Sequence, residues 1–445
     1  MSEDNRIAPE ARQRAPIGWR TNLWLVPMLC VLAALALFFI SQYLDRAEYR
    51  HAIKLPAWIN QGGAADAREL LSATVGAIIT TLGLVLSITV LTLSIAASQF
   101  GQRLLRRFMR DRGTQISIGI FAATFVFSLM TLLSVTSRPN ERPYVPWLSC
   151  WVSTGLALSC IATLIFYVHH VAQLIQVNTI LADISADLRR IIGETAQEEA
   201  AAAAPQVRED FVLQAPSTGY LRKLDYERLV RTAEKFDVTI RFLHRPGRFV
   251  MAGMDLAVGE RRSLQAGHAT EALKIGDAFG KALDIGPRRS LTQDPEFAIA
   301  QMVEIALRAM SPAVNDPNTM FTCVQWLGDG LRVIAQTPPR RTIHRDAGGQ
   351  PRVIEREDSF GRFVAAAFDP LRQVARRSPE ASIVMLDTIA ALAECLTEAV
   401  HLSPVAAQAE LIWEGFDSGG AGHDRERVEA AYKRAMRVMR MREAA

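Results

Sequence analysis

Residues Asp284 to Gln336, DIGPRRSLTQDPEFAIAQMVEIALRAMSPAVNDPNTMFTCVQWLGDGLRVIAQ, read as two apolar helices joined by a tight polar corner. Each helix starts at an Asp-Pro dipeptide, Asp294-Pro295 and Asp316-Pro317. An Asp carboxylate accepts the orphan N–H groups of a first helical turn, and proline at the first position has no N–H to orphan. Phe297, Val303, Ile305, Leu307 and Met310 mark the first helix, and Ser311-Pro312 stops it, because the residue before proline avoids the α region. The corner SPAVNDPNT gathers Ser311, Asn315, Asp316, Asn318 and Thr319 between two apolar helices. Two readings of it stand side by side: a ligand-binding corner, or capping chemistry alone, which is the commoner use of such residues.

Working outward, the 445 residues allow two or three domains, and the formal net charge of +4 does not mark a nucleic-acid binder. Cys30, Cys150, Cys160, Cys323 and Cys395 form no CxxC pair and sit among apolar residues. Inert thiols therefore fit better than a disulfide framework or a zinc site, and no metal ligand set is expected.

The N-terminal third is apolar. Uncharged stretches at Leu23–Ile40, Leu70–Ser98, Gly113–Ser137 and Val145–Val168 each approach or exceed the ~20 residues a membrane-spanning helix needs. Residues 1–20 are polar, carry Arg6, Arg12, Arg14 and Arg20, and read as a cytosolic tail and not as a signal peptide. The loop 99–112 holds Arg103, Arg106, Arg107, Arg110 and Arg112 against Asp111, while 138–144 has only Arg138 and Arg142, offset by Glu141. The positive-inside rule then places both termini of this multi-pass chain in the cytosol. Within that loop, Leu104, Leu105, Phe108 and Met109 share one helical side with arginines around them, a pattern that lies on a bilayer and attracts anionic lipids.

None of the four apolar runs holds a charged residue or histidine, which argues against a proton pump. The second run instead carries Gly76, Thr80, Gly83, Ser87, Val90, Ser94 and Ala97 at spacings of four and three, one helical face of small residues. Close helix packing is the plainer reading and a narrow pore lined by hydroxyls the sharper one. Beyond the fourth run, Leu174, Val177, Leu181, Ile184, Leu188 and Ile191 keep a heptad rhythm with no Gly or Pro before Gly193. The stripe either docks on the chain's own cytosolic part or zips to a second copy; the second is favoured, so a homo-oligomer is expected. His169 and His170 point about 100° apart on a helix, which suits interfacial anchoring better than a shared ion.

After a linker ending near residue 205, Phe211–Leu213, Val238–His244 and Arg248–Val258 read as short strands, with a helix over Asp225–Phe236. The RPGRFVMAGMDLAVG stretch resembles the hairpin of lipoyl-type modules but has no lysine at its turn, so no prosthetic group or other cofactor is assigned. TIHRDAGGQPRVIERE reads as a hairpin turning at Gly348-Gly349. Asp369-Pro370, Ser378-Pro379 and Ser403-Pro404 repeat the cap-then-proline start, and DRERVEAAYKRAMRVMRMR closes the chain as a basic amphipathic helix. The fold class expected is an α-helical membrane protein with four transmembrane helices, followed by an α+β cytosolic domain made of a small β-module and a helical bundle. Its segments run 1–20 (tail), 21–170 (membrane), 171–205 (helical extension and linker), 206–262 (β-module), 263–420 (helical domain) and 421–445 (terminal helix).

SIAASQFGQRLLRRFMRDRGTQISIGIFAATF, the double histidine, RPGRFVMAG and above all LTQDPEFAIAQMVEIALRAMSPAVNDPNT resemble a bacterial family of predicted membrane proteins, domain of unknown function 2254. The likeness runs from about residue 20 to about 415 and implies an integral inner-membrane protein with a cytosolic C-terminal domain and no assigned activity. No catalytic residue can be carried over. The corner departs mildly, at Ala313 and Asn318, from the SPGINDP followed by Phe or His that the resemblance implies.

No phosphate loop, GxSxG, HExxH or Cys–His spacing occurs, so no reaction class can be named. A channel-like or membrane-sensing oligomer with a regulatory cytosolic domain is the favoured reading; an enzyme or ligand-binding protein using residues 311–319, and a membrane scaffold for partner proteins, are the alternatives. Accessibility of engineered cysteines, or reporter fusions, should place 99–112 and all residues after 171 in the cytosol, and 41–69 and 138–146 outside. A fusion at residue 300 active only outside the cytosol would reverse this orientation.

Overall fold

A computed structural model describes residues 6–7, 24–50, 63–100, 111–136, 143–174, 176–195, 205–261, 269–337, 342–356, 358–419 and 422–443. The chain divides into two compact units, Ala15–Ile180 and the pair Met1–Arg14 with Leu181–Ala445.

The first unit contains helices α1 (Leu25–Tyr49), α2 (Ala64–Phe100), α3 (Arg112–Ser134) and α4 (Trp147–Leu174). All four are long and apolar enough to cross a membrane. Their interior is fastened by hydroxyl contacts: Ser128 Oγ meets Ser153 Oγ at 2.7 Å, and the Tyr167 hydroxyl donates to the Val85 carbonyl at 3.2 Å. Such contacts satisfy polar groups without placing a charge in hydrocarbon. The first helix runs nine residues beyond its apolar core, so Ser41, Gln42 and Asp45, expected in a loop, lie on helix α1. Asp45 is 3% exposed and accepts from Leu148 N at 2.9 Å, Ser149 N at 3.1 Å and Ser149 Oγ at 2.6 Å. The orphan N–H groups of α4 are thus capped by a carboxylate from another helix. Gln42 adds a bond from Nε2 to Ser134 Oγ at 2.7 Å and accepts from the Tyr144 hydroxyl at 3.0 Å.

The continuous extension of the fourth span is interrupted: α4 ends at Leu174, and α5 (Val177–Thr195) is a separate helix. Leu181, Ile184, Leu188 and Ile191, expected between copies, are 0–1% exposed in the single chain, while Leu174 and Val177 are half-buried. The stripe from Leu181 to Ile191 is therefore packed inside the second unit, to which it belongs. The physical reason lies at a later helix, where a Cβ on Gly330 would sit 2.9 Å from Leu188 Cδ2, and where Arg189 pairs with Asp329.

In the second unit β1 (Arg6–Ile7), β2 (Phe211–Gln214), β3 (Gly219–Leu224), α6 (Tyr226–Lys235), β4 (Val238–Phe242), β5 (Phe249–Val250), β6 (Asp255–Arg261), α7 (Ala269–Gly280) and β7 (Leu283–Gly286) precede the helix pair. That pair is α8 (Pro295–Ala309) and α9 (Pro317–Gln336), followed by β8 (Ile343–Arg345), β9 (Pro351–Ile354), α10 (Phe360–Ala375), α11 (Pro379–Cys395), α12 (Ala399–Gly415) and α13 (Gly422–Glu443). One sheet has the order β1-β2-β6-β4-β9-β8 and another β5-β3-β7. Pairs β1–β2 and β4–β9 are parallel; the rest are antiparallel. Leu221, Leu229, Ile240, Val250, Ala257 and Val353 are buried in the core on these sheets. The stretch expected as one strand at Arg248–Val258 breaks at Gly253 (φ +82°) and serves both sheets. Strands continue to Ile354, so the β-module is not closed at residue 262.

The Asp caps of α8 and α9 and the Ser378 cap of α11 form as expected. Pro370 and Pro404 do not start helices; they lie inside α10 and α12. Each proline removes one i−4 bond. Burial of Phe368 and Leu371 on α10, and of Val405 and Ile412 on α12, outweighs that loss, and Gln408 Nε2 ties the two helices by donating to Asp369 Oδ1 at 2.8 Å. The basic terminal helix α13 packs along α11 through Val428, Ala431, Ala435 and Met439. Arg427–Glu380 at 3.0 Å and Arg434–Asp387 at 2.9 Å repeat at seven-residue steps, so the two helices run parallel.

Leu188→Lys tests the placement of α5. A lone ammonium at this buried position should cost about 3–5 kcal/mol, read as a lowered thermal midpoint of the full chain in detergent. A reduced oligomer mass with an unchanged midpoint would put the stripe between copies instead.

Candidate functional site

Two of the sequence stretches that carry the resemblance, RPGRF at 245–249 and LTQDPEF at 291–297, fold against each other. Gly247 (φ +91°) makes this possible: a Cβ there would fall on the Asp294 carboxylate. Asp294 is 2% exposed and accepts from Phe297 N at 3.1 Å while Arg289 grips both its oxygens at 2.8 and 2.9 Å. The same guanidinium lies over the Phe297 ring, 5.1 Å from its centroid. Gln293 copies a strand partner, accepting from Leu224 N at 2.8 Å and donating to Leu224 O at 3.0 Å. Two residues after Asp294, Glu296 is bonded by Arg245 and by Arg362 Nε at 2.9 Å, and Arg245 also reaches Asp358 at 2.5 Å.

These charges differ in their protonation energetics. Burial pushes the Asp294 carboxyl up, against the pull of Arg289. Burial also opposes the charge on Glu296, but Arg245 and Arg362 prevail and hold its carboxyl below the usual range. Glu296 thus adds stability that is present above about pH 4.3 and lost as pH falls through its folded pKa. Asp294 has the opposite sign, since acid relieves the burial of its charge. The cluster fixes the RPGR loop to α8 and α10; it contains no nucleophile beside a base. Among the described residues, no group of three His, Cys, Asp or Glu side chains could hold a metal ion.

At the 311–319 corner both Asp316 oxygens are taken, one by Thr319 N at 3.2 Å and one by the Thr319 hydroxyl at 2.6 Å. Ser311 Oγ donates to Arg308 O at 2.7 Å, and Asn315, at φ +48°, turns the chain so that Asp316 N reaches Ala309 O at 2.8 Å. Asn315 and Asn318 are exposed, and no side chains converge on a common point. The geometry is that of capping and chain reversal.

In the first unit the small-residue face of α2 is turned away from the other helices. Gly76, Thr80, Gly83, Ser87, Val90 and Ser94 are all exposed, and a Cβ on Gly76 or Gly83 would meet nothing within 4 Å. Thr80 and Ser87 hydroxyls return to Gly76 O at 2.8 Å and Gly83 O at 2.9 Å, so they demand no outside partner. The basic side chains expected at the lipid surface, Arg103, Arg106, Arg107 and Arg110, lie outside the described residues. Of the two histidines, His170 Nε2 meets Asp111 Oδ2 at 2.7 Å and His169 meets Gln173 at 3.0 Å, so they have separate partners. Asp111 also caps α3 through Thr114 N at 2.7 Å. Sequence reasoning missed Asp45 and the Arg245–Glu296 link; the run ISQYLDRAEY, with nothing to break a helix, was the available signal for the first.

Comparison with known proteins bears on this arrangement. The family described as predicted membrane protein (DUF2254) matches residues 20–391. Uncharacterized proteins from Mycobacterium bovis and Mycobacterium tuberculosis are each 31% identical over 386 residues, covering 85% of this chain and 74% of theirs. No solved structure matches.

Arg289→Leu should destabilise the full chain by about 3–5 kcal/mol at pH 7, because it strands a buried carboxylate. The gap from wild type should narrow as pH is lowered and Asp294 takes up a proton. Thermal melts in detergent from pH 7 down to 5 read this; a gap that stays constant would remove Asp294 as the cause.

Proposed function

The chain belongs to the DUF2254 family of predicted membrane proteins, and from that premise we propose a homo-oligomeric, multi-pass protein of the bacterial inner membrane with a channel-like or membrane-sensing role. The single observation that carries this reading is the outward face of α2, where Gly76, Thr80, Gly83, Ser87 and Ser94 are exposed among the described residues. Small residues let helix backbones approach closely in lipid, where packing and not the hydrophobic effect drives association. A second copy offering the same face completes that packing, and further copies would bring self-satisfied hydroxyls toward a common axis.

The second unit serves as a cytosolic regulatory domain in this reading. One observation supports its side of the membrane, and a second ties it to the N-terminal tail. The arginine-rich 99–112 loop marks the cytosolic face by the positive-inside rule. In addition, Arg6 and Ile7 pair with Val212 and Leu213 across the four spans, and strands of one sheet must share one side of a bilayer. An enzyme at the 311–319 corner is not favoured, because Asp316 is fully engaged by Thr319. A scaffold using the terminal helix is not favoured either, because the apolar face of α13 is buried in its own domain.

Gly76→Leu with Gly83→Leu should lower the mass of the detergent-solubilised protein to that of a monomer while leaving the protomer folded, since a Cβ at either position meets nothing within 4 Å. Mass photometry checks this. A monomeric wild type, or an oligomer indifferent to both leucines, would refute the reading.

A further inference from the structure

The hairpin tip of the RPGRFVMAGM stretch presents apolar side chains to the outside on a rigid mount. Val250 is buried in the core, whereas Phe249 on one side of it is 47% exposed and Met251 on the other 60% exposed. The tip is no frayed loop: Ala252 N donates to Thr218 Oγ1 at 3.0 Å, Gly253 N to Ala215 O at 3.0 Å, and Gly247 N to Leu221 O at 2.7 Å. Tyr220 packs edge-on against Phe249 with ring centroids 5.1 Å apart. Among the described residues only Tyr220 is recorded in ring contact with Phe249, and both Phe249 and Met251 stay exposed, although single exposed apolar residues need no explanation by themselves.

What singles out this tip is the charge around it. The two arginines of the motif are used differently. Arg245 is held by Glu296 and Asp358, whereas the exposed Arg248 meets no carboxylate among the described residues. Arg356, also exposed, donates to the Leu243 carbonyl at 3.2 Å and likewise meets no described carboxylate. Both act on His244: burial first, and then the charges of Arg248 and Arg356, hold its pKa below the ordinary value. An uncompensated positive potential therefore surrounds an exposed apolar wedge. Guanidinium groups take up phosphate oxygens through paired hydrogen bonds. Apolar side chains flanked by arginines match the boundary between headgroups and acyl chains.

We propose that the Arg248–Gly253 tip, with His244 and Arg356 beside it, docks on the surface of an anionic phospholipid bilayer. Phe249 and Met251 enter the interfacial layer, and Arg248 and Arg356 bind phosphodiester groups. The bilayer is the occupant of choice because the family places this chain in a membrane and because the patch combines positive charge with apolar side chains, whereas a soluble anion would use only the charge. This contact is independent of how copies meet on α2.

The test uses the full chain with Cys395→Ser, which removes an exposed thiol, and Ala252→Cys labelled with an environment-sensitive fluorophore; the same chain without Ala252→Cys supplies the background. It is reconstituted in nanodiscs of phosphatidylcholine alone or mixed equally with phosphatidylglycerol. A blue-shifted emission, quenched by nitroxide-labelled lipid, is expected only in the anionic discs. The shift should be lost on raising salt to about 0.5 M, where charge is screened within a few ångström, and lost in the pair Arg248→Gln with Arg356→Gln. Phe249→Ser should reduce the quenching while keeping the salt dependence. Equal emission in both lipids would overturn the proposal, as would a shift that survives the paired Gln changes. Inorganic phosphate reproducing the shift in neutral discs would overturn it too, by assigning the patch to a soluble anion.

Discussion

A helix N-terminus leaves N–H groups that nothing in the helix can satisfy, and in this chain the answer in both units is an aspartate. Asp45 and Asp111 do this for membrane helices α4 and α3; Asp225, Asp294 and Asp316 do it for α6, α8 and α9. Most of these carboxylates have a second task that fixes a neighbour. Asp45 comes from a different helix and so locks α1 to α4; Asp111 also meets His170 at the far end of α4. Asp294 receives Arg289 and abuts Gly247, and Asp316 receives the Thr319 hydroxyl. Capping and tertiary placement are the same interaction here. That is why the short polar segments between helices resemble ligand sites in sequence while their side chains are already engaged.

What could be read in the sequence was what depends on local physics. Membrane spans need only length and apolarity, and all four were legible. The Asp-Pro starts at 294 and 316 were legible because cap and proline act within one turn. The same dipeptide at Asp369-Pro370, and Ser403-Pro404, misled, since burial of an entire helix face can absorb a proline. Strands β3 and β7 went unread because their pairing, Tyr220 with Gly286, joins segments 66 residues apart. The heptad stripe of α5 was legible as a stripe, but nothing in its spacing could name α9 as its cover. The candidate site was legible in the same uneven way: the corner as capping chemistry, the Arg245–Glu296–Asp358 link not at all, since three distant segments build it.

The two units deal with polarity in opposite ways. Inside the membrane unit hydroxyls bond to backbone or to one another, and its buried carboxylate, Asp45, sits at a helix end where N–H groups surround it. In the other unit ion pairs fasten loops to helices, and one surface, around Arg248, retains charge without a partner among the described residues. Among the described residues, the small-residue face of α2 and the RPGRF tip are both left exposed.

The parallel pairing of Arg6 and Ile7 with β2 carries a consequence for how the protein is made. The N-terminal strand leaves the ribosome first, yet its partner at residues 211–214 emerges only after all four spans have been synthesised. The edge that β1 and β2 form therefore cannot close until the four apolar helices have been made, and the other strands of that sheet follow still later. It closes only if an even number of helices has inserted, because an odd number would strand residues 6–7 across the bilayer. A chain with one span missing would expose β2 as an unpaired edge, the kind of surface on which strands of other chains add and aggregate. Correct insertion in the membrane and completion of the water-facing sheet are in this way a single event, and the short strand at the beginning of the chain reports on both.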